Sequence, residues 1–290
     1  MTIQAPAKIN LTLEVLSKRA DGYHEIRSVI QTIDLCDRLR LRLSHNISSH
    51  CNNPGFVWEE SLISRTIVLL KRATGCTSGA TIEITKQIPL SSGLAGDSSG
   101  AAAMLLGLNK LWQLGLSPAQ LFELAPRLGS DVAFFLYGGT ALVEGRGEIL
   151  TPLPPLPHHW IVLVVPDVPR MPEKTERLYA SLKTNHYTDG KITENFVKAL
   201  KKGREFKPSM LFNTFENVAF EQFSGLKVYK EHFTKLGAQN VHLAGSGPAL
   251  FTMLKDKDKA EDLYTRCRNQ GMEAYLTETS PLSSGKPAPD

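Results

Sequence analysis

The chain has 290 residues, long enough for two lobes, with 42% hydrophobic and 21% charged residues and a net charge of +4. That balance is ordinary for a globular protein, and the charges are interspersed, with no Lys/Arg block of the kind that tracks a nucleic-acid backbone, so no nucleic-acid partner is expected and the mild excess fits small anionic ligands at least as well. No apolar run approaches the roughly 18 residues of a membrane helix, and MTIQAPAKIN lacks the charged–apolar–small order of a signal peptide, so a cytoplasmic protein without a membrane partner is expected. Cys36, Cys51, Cys76 and Cys267 form no C-x-x-C pair and have no His cluster beside them, which predicts reduced, buried thiols.

In chain order, Ile9, Leu11, Leu13 and Val15 alternate with Asn10, Thr12 and Glu14, predicting a half-buried strand with Lys8 and Asn10 on the face opposite the apolar set. Asp21-Gly22 makes a turn. Arg27 to Leu43 reads as two strand-like runs around a polar turn at Asp34–Arg38. Ile63, Ile67 and Leu70 share a helical face, so a helix is expected over Leu62–Ala73, and Ala80–Lys86 alternates as a strand. A Gly/Ser loop leads into a helix carrying Ala101, Leu105, Leu108 and Trp112 on one face. The next helix starts at Ser117 as N-cap, with Pro118 at the first position and Gln120 closing a capping box. Gly138–Val143 and Trp160–Val165 read as strands.

Between those two strands, TPLPPLPHH (Thr151–His159) holds four prolines and can continue neither a sheet nor a helix, so the lobe boundary is placed there: 1–153, then 154–279, then a tail at 280–290 without periodicity and expected to be disordered. The second lobe reads as α+β, with helices near Lys174–Leu182, Thr193–Lys202, Asn213–Phe223, Lys227–Leu236 and Asp258–Gln270, and strands at Val241–Leu243 and Ala249–Leu254. Lys198, Lys201, Lys202 and Arg204 read as a solvated helix face and its end.

The segment Pro89-Leu90-Ser91-Ser92-Gly93-Leu94-Ala95-Gly96-Asp97-Ser98-Ser99 lies between a strand and a long amphipathic helix. Glycine lets successive backbone N–H groups face one point, and the helix adds its open N–H groups and the positive end of its dipole, so the segment predicts an anion site suited to a triphosphate. It is neither a Walker loop nor a Rossmann loop, and a plain flexible connection is the alternative. Asp97 places a negative charge in this loop, so it must either point away from a bound phosphate or meet a metal ion.

Pro89-x-x-x-Gly93-Leu94-x-x-x-Ser98-Ser99-x-Ala101-Ala102 resembles the phosphate-loop signature of the GHMP kinase superfamily. Ala5-Pro6-Ala7-Lys8-Ile9-Asn10-Leu11 with Arg19-Ala20-Asp21-Gly22-Tyr23-His24-Glu25, and Leu128-Gly129-Ser130-Asp131-Val132 with Gly138-Gly139-Thr140, resemble the branch of that superfamily whose acceptor is a cytidine diphosphate-linked methylerythritol. Leu243-Ala244-Gly245-Ser246-Gly247-Pro248 is similar to the superfamily's C-terminal glycine motif. The resemblance runs from residue 5 to about 254, in the family's order. The phosphate loop departs from the branch's usual glycine run, and Asp167–Tyr179 matches weakly.

The resemblance implies an α+β, two-lobed fold, with an N-terminal lobe like ribosomal protein S5 domain 2 and a ferredoxin-like C-terminal lobe. It implies ATP as co-substrate with Mg²⁺, and transfer of the γ-phosphate to the 2-hydroxyl of that acceptor in the non-mevalonate route to isoprenoid precursors, by a monomer or weak homodimer. It puts Asp131 in the role of general base with Lys8 beside it, and Pro89–Ser99 around the ATP phosphates. Tyr23 would stack on the cytosine while His24 gives backbone hydrogen bonds, Thr175 would hydrogen-bond the nucleotide, and Tyr179 would close the other face of the base. Gly245-Ser246-Gly247 would pack against the phosphate loop. The residues themselves agree in kind: Asp131 lies among Val132, Ala133, Phe134 and Phe135, where a lone carboxylate is costly, although a helix N-cap also explains it. Asn10 shares the face of Lys8 and could hold the acceptor hydroxyl. Each tyrosine also reads as a core-edge residue. Two other functions stay open: a homoserine or mevalonate-type kinase of the same fold, and a non-catalytic nucleotide-binding module.

Overall fold

The computed structural model describes residues 1–281. Its first half contains β1 (Thr2–Lys18), β2 (His24–Ser44), β3 (Ile47–Cys51), α1 (Leu62–Thr74), β4 (Gly79–Thr85), α2 (Gly96–Leu111), α3 (Pro118–Leu124), α4 (Val132–Tyr137), β5 (Thr140–Gly145) and β6 (Ile149–Pro152). The second half contains β7 (Trp160–Val165), α5 (Lys174–Ser181), α6 (Lys191–Lys201), β8 (Phe212–Asn213), α7 (Glu216–Gln222), α8 (Leu226–Lys235), β9 (His242–Leu243), β10 (Leu250–Leu254), α9 (Lys257–Asn269) and β11 (Glu273–Glu278).

Among the described residues the strands form two sheets, giving the expected α+β architecture. The first runs β3-β4-β2-β1-β8, with β5 and then β6 joined to the other end of β2. Strand β2 is long enough to serve two partners: its Ile26–Gln31 stretch pairs with β5, and its Arg38–Ser44 stretch pairs with β4. The second sheet runs β11-β7-β10-β9, antiparallel throughout.

Three expectations are corrected. Asp34–Arg38 is not a turn between two strands. It lies inside the single strand β2, where a register irregularity between Pro6 and Ala7 of β1 absorbs the extra residues and lets Asp37 face inward. Strand β1 is not half-buried but buried on both faces from Ala5 to Val15. One face meets α2, whose small residues permit close approach: a Cβ on Gly107 would lie 2.5 Å from Leu41 and 2.7 Å from Ile3. On the other face Ala7, Ile9 and Leu11 share a core with Ile161, Leu163 and Phe251 of the second sheet. Strand β8 adds to the first sheet beside β1, so Asn213, expected to open a helix, ends a short strand instead, and the helix begins at Glu216.

Local signals hold where they are strong. Ser117 and Gln120 close the capping box with Pro118 inside it. Ser61 caps α1 by accepting from Ser64 N–H, and Gly75 ends that helix in the left-handed region at φ 71°. Lys198, Lys201, Lys202 and Arg204 are exposed. Cys36 and Cys267 are buried thiols, whereas Cys51 and Cys76 are only half-buried; all four are free. Of the expected tail at 280–290, Ser280 is buried and its carbonyl accepts from Gln31 and Thr32; residues 282–290 lie outside the described residues.

Candidate active site

An open cleft of about 1220 Å³ runs across the first sheet and brings the separately predicted segments together. The phosphate loop forms one wall. Gly93 adopts φ +90°, and a Cβ there would lie 2.1 Å from the Ala244 carbonyl oxygen. Ser91 and Ala95 also take positive φ, 55° and 58°, an arrangement that costs backbone energy and is found where function fixes the chain. Helix α2 begins at Gly96 with Ala95 as N-cap, whose side chain makes no capping bond, and Gly96, Asp97 and Ser98 of its first turn line the cleft.

Beneath this loop lies a feature the sequence did not suggest. Asp37 accepts from the N–H groups of Gln87 and Ile88, 2.8 Å each, and forms an ion pair with Lys86. Burial raises the Asp37 carboxyl, while the Lys86 ammonium and the two amides hold it down. Lys86 Nζ lies within 3.2 Å of where a Cβ on Gly96 would be, so the glycine leaves room for the ammonium under the start of α2. Asp97, the awkward charge of the loop, accepts from Leu62 N–H at 3.1 and 3.2 Å and thus faces the positive end of α1.

The second wall carries the polar centre. Lys8, buried on β1, donates from Nζ to Asn10 Oδ1 at 2.9 Å and lies 3.4 Å from Asp131 Oδ2. Asn10 donates in turn to Ser28 Oγ at 2.9 Å, which donates to the Thr12 carbonyl, so the Lys8–Asn10 orientation is fixed by a chain of bonds across β1 and β2. Asp131 occupies the N-cap position of α4, yet its carboxylate makes no capping bond and reaches Lys8 instead. Lys8 N–H donates to the Leu94 carbonyl at 3.1 Å, tying this strand directly to the phosphate loop.

The glycine turn joins both walls. A Cβ on Gly245 would lie 2.8 Å from the Gly93 carbonyl oxygen and 3.4 Å from both Lys8 Nζ and Asn10 Oδ1, which leaves room for nothing larger. Asn213 Nδ2 donates to the carbonyls of Leu243 and Gly245, and Ala249 N–H donates to the Ser92 carbonyl. Ser246 Oγ and Thr175 Oγ1 are hydrogen-bonded at 2.9 Å. Lys174, beside Thr175, donates to the Ser91 carbonyl at 2.8 Å and also to the Gly247 carbonyl.

At the far end of the cleft the aromatic residues are arranged differently from a ready-made sandwich. Tyr23 is 58% exposed, with the Arg146 guanidinium 4.7 Å above its ring. His24 is stacked on Tyr179, with centroids 4.7 Å apart and 15° between planes, and Tyr187 meets His24 edge-on. Burial raises the Tyr179 hydroxyl, with Asp131 adding to it, and burial lowers His24 with help from Lys18. The structure therefore gathers Tyr23, His24, Thr175 and Tyr179 at one end of the cleft, with one face of the Tyr179 ring covered by His24. Sequence reasoning missed Asp37, Lys86, Lys174 and Arg146, and apart from the charge of each residue the sequence carried no local signal for them.

A cleft with a glycine-bearing loop at a helix start, a fixed Lys–Asp pair and a glycine turn against the loop suits phosphoryl transfer to a small molecule. Residues 61–139 match the family model "GHMP kinases N terminal domain" and residues 196–272 match "GHMP kinases C terminal". Full-length relatives narrow the class. A 4-diphosphocytidyl-2-C-methyl-D-erythritol kinase of Dehalococcoides mccartyi is 46% identical over 279 residues, covering 96% of this chain and 98% of the relative. One from Listeria monocytogenes is 38% identical, covering 99% and 97%. A crystal structure of 4-(cytidine 5'-diphospho)-2C-methyl-D-erythritol kinase superposes with a TM-score of 0.81 at 34% identity, covering 97% of this chain and all of that one. A homoserine kinase from Cytophaga hutchinsonii reaches a TM-score of 0.73 at 19% identity, a likeness of fold. The chain belongs to the 4-diphosphocytidyl-2-C-methyl-D-erythritol kinase family of GHMP kinases.

Proposed function

We propose that this protein transfers the γ-phosphate of ATP to the 2-hydroxyl of 4-diphosphocytidyl-2-C-methyl-D-erythritol, as a cytoplasmic step toward isoprenoid precursors. The observation that carries the reading is the Lys8–Asp131 pair, 3.4 Å apart and hydrogen-bonded through Lys8 N–H to the phosphate loop. Phosphoryl transfer needs an in-line acceptor oxygen, a proton acceptor and positive charge on the transferring group. Asp131 takes the hydroxyl proton, the acceptor oxygen bonds to the γ-phosphorus, and the bond to the bridging oxygen breaks, its electron pair leaving with ADP. Lys8 steadies both the carboxylate and the charge on the transferring group, and Asn10 orients the hydroxyl. The amides of Pro89–Ser99 and the start of α2 bind the phosphates.

Among the described residues, no three His, Cys, Asp or Glu side chains cluster as a metal site, which suits an Mg²⁺ ion that takes most of its ligands from phosphate and water. Ser98, in the cleft wall, is the side chain that would meet it, since Asp97 is turned to Leu62 N–H; bound there the ion would neutralise phosphate charge. Tyr23 and His24 would take the cytosine, with Thr175 on the nucleotide. Closing Tyr179 on the second face requires His24 to swing off its ring.

The same reading divides the chain at residues 153 and 154, a division that β8 crosses in its pairing with β1. It makes the protein a monomer or weak homodimer, which sedimentation would test. Among the described residues, no helix is long and apolar enough to cross a membrane. An ATP-consumption assay against the cytidylyl alcohol, homoserine and mevalonate tests the function. Turnover of the cytidylyl alcohol alone is expected; turnover only of homoserine or mevalonate, or none at all, overturns it.

A further inference from the structure

We propose that Lys174 is a positioning residue for this transfer: its ammonium straps the phosphate loop to the Gly245–Pro248 turn and so sets the distance between the nucleotide loop and the Lys8–Asp131 pair. The proposal rests on the kinase reading above. Four observations carry it. Lys174 Nζ donates to the Ser91 carbonyl at 2.8 Å and to the Gly247 carbonyl, one on the phosphate loop and one on the glycine turn packed against it. The turn it holds abuts the catalytic pair, because Gly245 leaves only enough space for Lys8 Nζ and Asn10 Oδ1. The loop it holds is under backbone strain at Ser91 itself, φ 55°, the residue whose carbonyl Lys174 grips. Glu173, immediately before it, is also forced to a positive φ of 50°, which starts α5 in the register that aims Lys174 between the two segments.

Charge is central to the strap. A cation shared by two carbonyls makes stronger bonds than a neutral donor. The segment Pro89–Gly96 and the turn Gly245–Pro248 carry no titratable side chain, so the charged group facing Lys174 from the packed elements is Lys8 on β1. Burial, with the positive charge of Lys8 added, brings the Lys174 ammonium down to about 8. Below that pH the strap is charged; above it Lys174 is neutral, and the two carbonyl bonds lose their charge assistance. The value of kcat/KM for ATP, which reports groups of the free enzyme, is therefore expected to fall as pH rises through about 8.

Two full-length variants test this, Lys174→Met and Lys174→Arg, each checked for folding by circular dichroism and a urea midpoint. Binding of a non-hydrolysable ATP analogue is measured by calorimetry, and kcat/KM for ATP is followed from neutral to alkaline pH. Lys174→Met is expected to weaken analogue binding by roughly ten- to a hundredfold, the loss of a charged hydrogen-bond donor. Lys174→Arg, which stays charged throughout, is expected to recover most of that binding and to lose the alkaline fall. Wild-type analogue binding by a folded Lys174→Met overturns the strap. So does an alkaline fall that persists unchanged in Lys174→Arg, and that variant alone decides the matter if Lys174→Met does not fold. Analogue binding needs no acceptor, so an error in the assigned acceptor would show as missing turnover by the wild type and leave this readout intact.

Discussion

Asp37 and Lys86 form an ion pair directly beneath the phosphate loop, with side chains only 2% and 4% exposed. The pair is the hinge pin of the site. Asp37 reaches across from β2 to hold the amides of Gln87 and Ile88, the two residues that lead into Pro89, while the Lys86 ammonium sits under Gly96 at the start of α2. Strand, loop and helix are thereby fixed at one point, and a loop with strained residues at Ser91 and Ala95 needs such an anchor.

Breaking this pair on one side leaves an uncompensated buried charge, which costs several kcal/mol, whereas removing both partners together costs much less. Lys86→Met is therefore expected to destabilise the protein by about 3–5 kcal/mol. The double variant Lys86→Met/Asp37→Leu is expected to recover part of that loss, though the amides of Gln87 and Ile88 then lose their acceptor. Urea unfolding of the four proteins of this cycle measures the coupling. Additive losses would mean that the two side chains act independently.

Asp131 reaches Lys8 and makes no helix-capping bond, so its replacement should leave the fold alone. With Asp131→Asn, kcat is expected to drop by about 10²–10⁴, the usual contribution of a general base, while ATP-analogue binding stays near that of the wild type. Rapid-quench kinetics together with calorimetry make the comparison. A variant that lost analogue affinity instead of turnover would place Asp131 in the scaffold.

Tyr23 stands 58% exposed under the Arg146 guanidinium, an arrangement that spends little on the core and leaves the ring available to a ligand. Stacking of a base on an aromatic ring is worth about 1–3 kcal/mol, so Tyr23→Ala is expected to raise KM for the cytidylyl alcohol by roughly five- to a hundredfold without changing KM for ATP. Tyr23→Phe should behave as the wild type. Equal effects on both substrates would remove the ring from the acceptor site.

How much of this was legible in the sequence follows from how local each signal is. The capping box of Ser117, Pro118 and Gln120 is decided within four residues and was read directly. The strand Trp160–Val165 is a continuous apolar run and was read to the residue. Strand β2 reads as two strands because Asp34 and Asp37 look like turn residues; what makes Asp37 tolerable inside a strand is Lys86, 49 positions away. Strand β8 has two residues, too few for any period, so by pattern Asn213 joins the following helix. At the site, the resemblance located Lys8, Asp131 and the phosphate loop, but no period or spacing reveals that they meet. Nothing local marks Lys174, because its contacts are with two carbonyls 83 and 73 residues away.

Contact between the phosphate loop and the glycine turn gives the last prediction. At Gly93, φ is +90°, and a Cβ would lie 2.1 Å from the Ala244 carbonyl oxygen and 2.8 Å from Gly247 N. Both are backbone atoms, so neither can swing aside as a side-chain end would. Gly271 takes a similar φ of +74° with open space around it. Substituting alanine at Gly271 therefore costs only the left-handed backbone penalty, about 1–2 kcal/mol, whereas Gly93→Ala adds the displacement of one segment from the other. The turn also abuts Lys8 and Asn10, so the displacement should reach the Lys8–Asp131 pair. Gly93→Ala is expected to lose ATP-analogue binding by more than about a hundredfold, well beyond any effect of Gly271→Ala, and to be the less stable of the two in urea. If the two variants bound the analogue equally well, the close packing of loop on turn would not be what shapes the phosphate site, and the loop's conformation would have to be set from within.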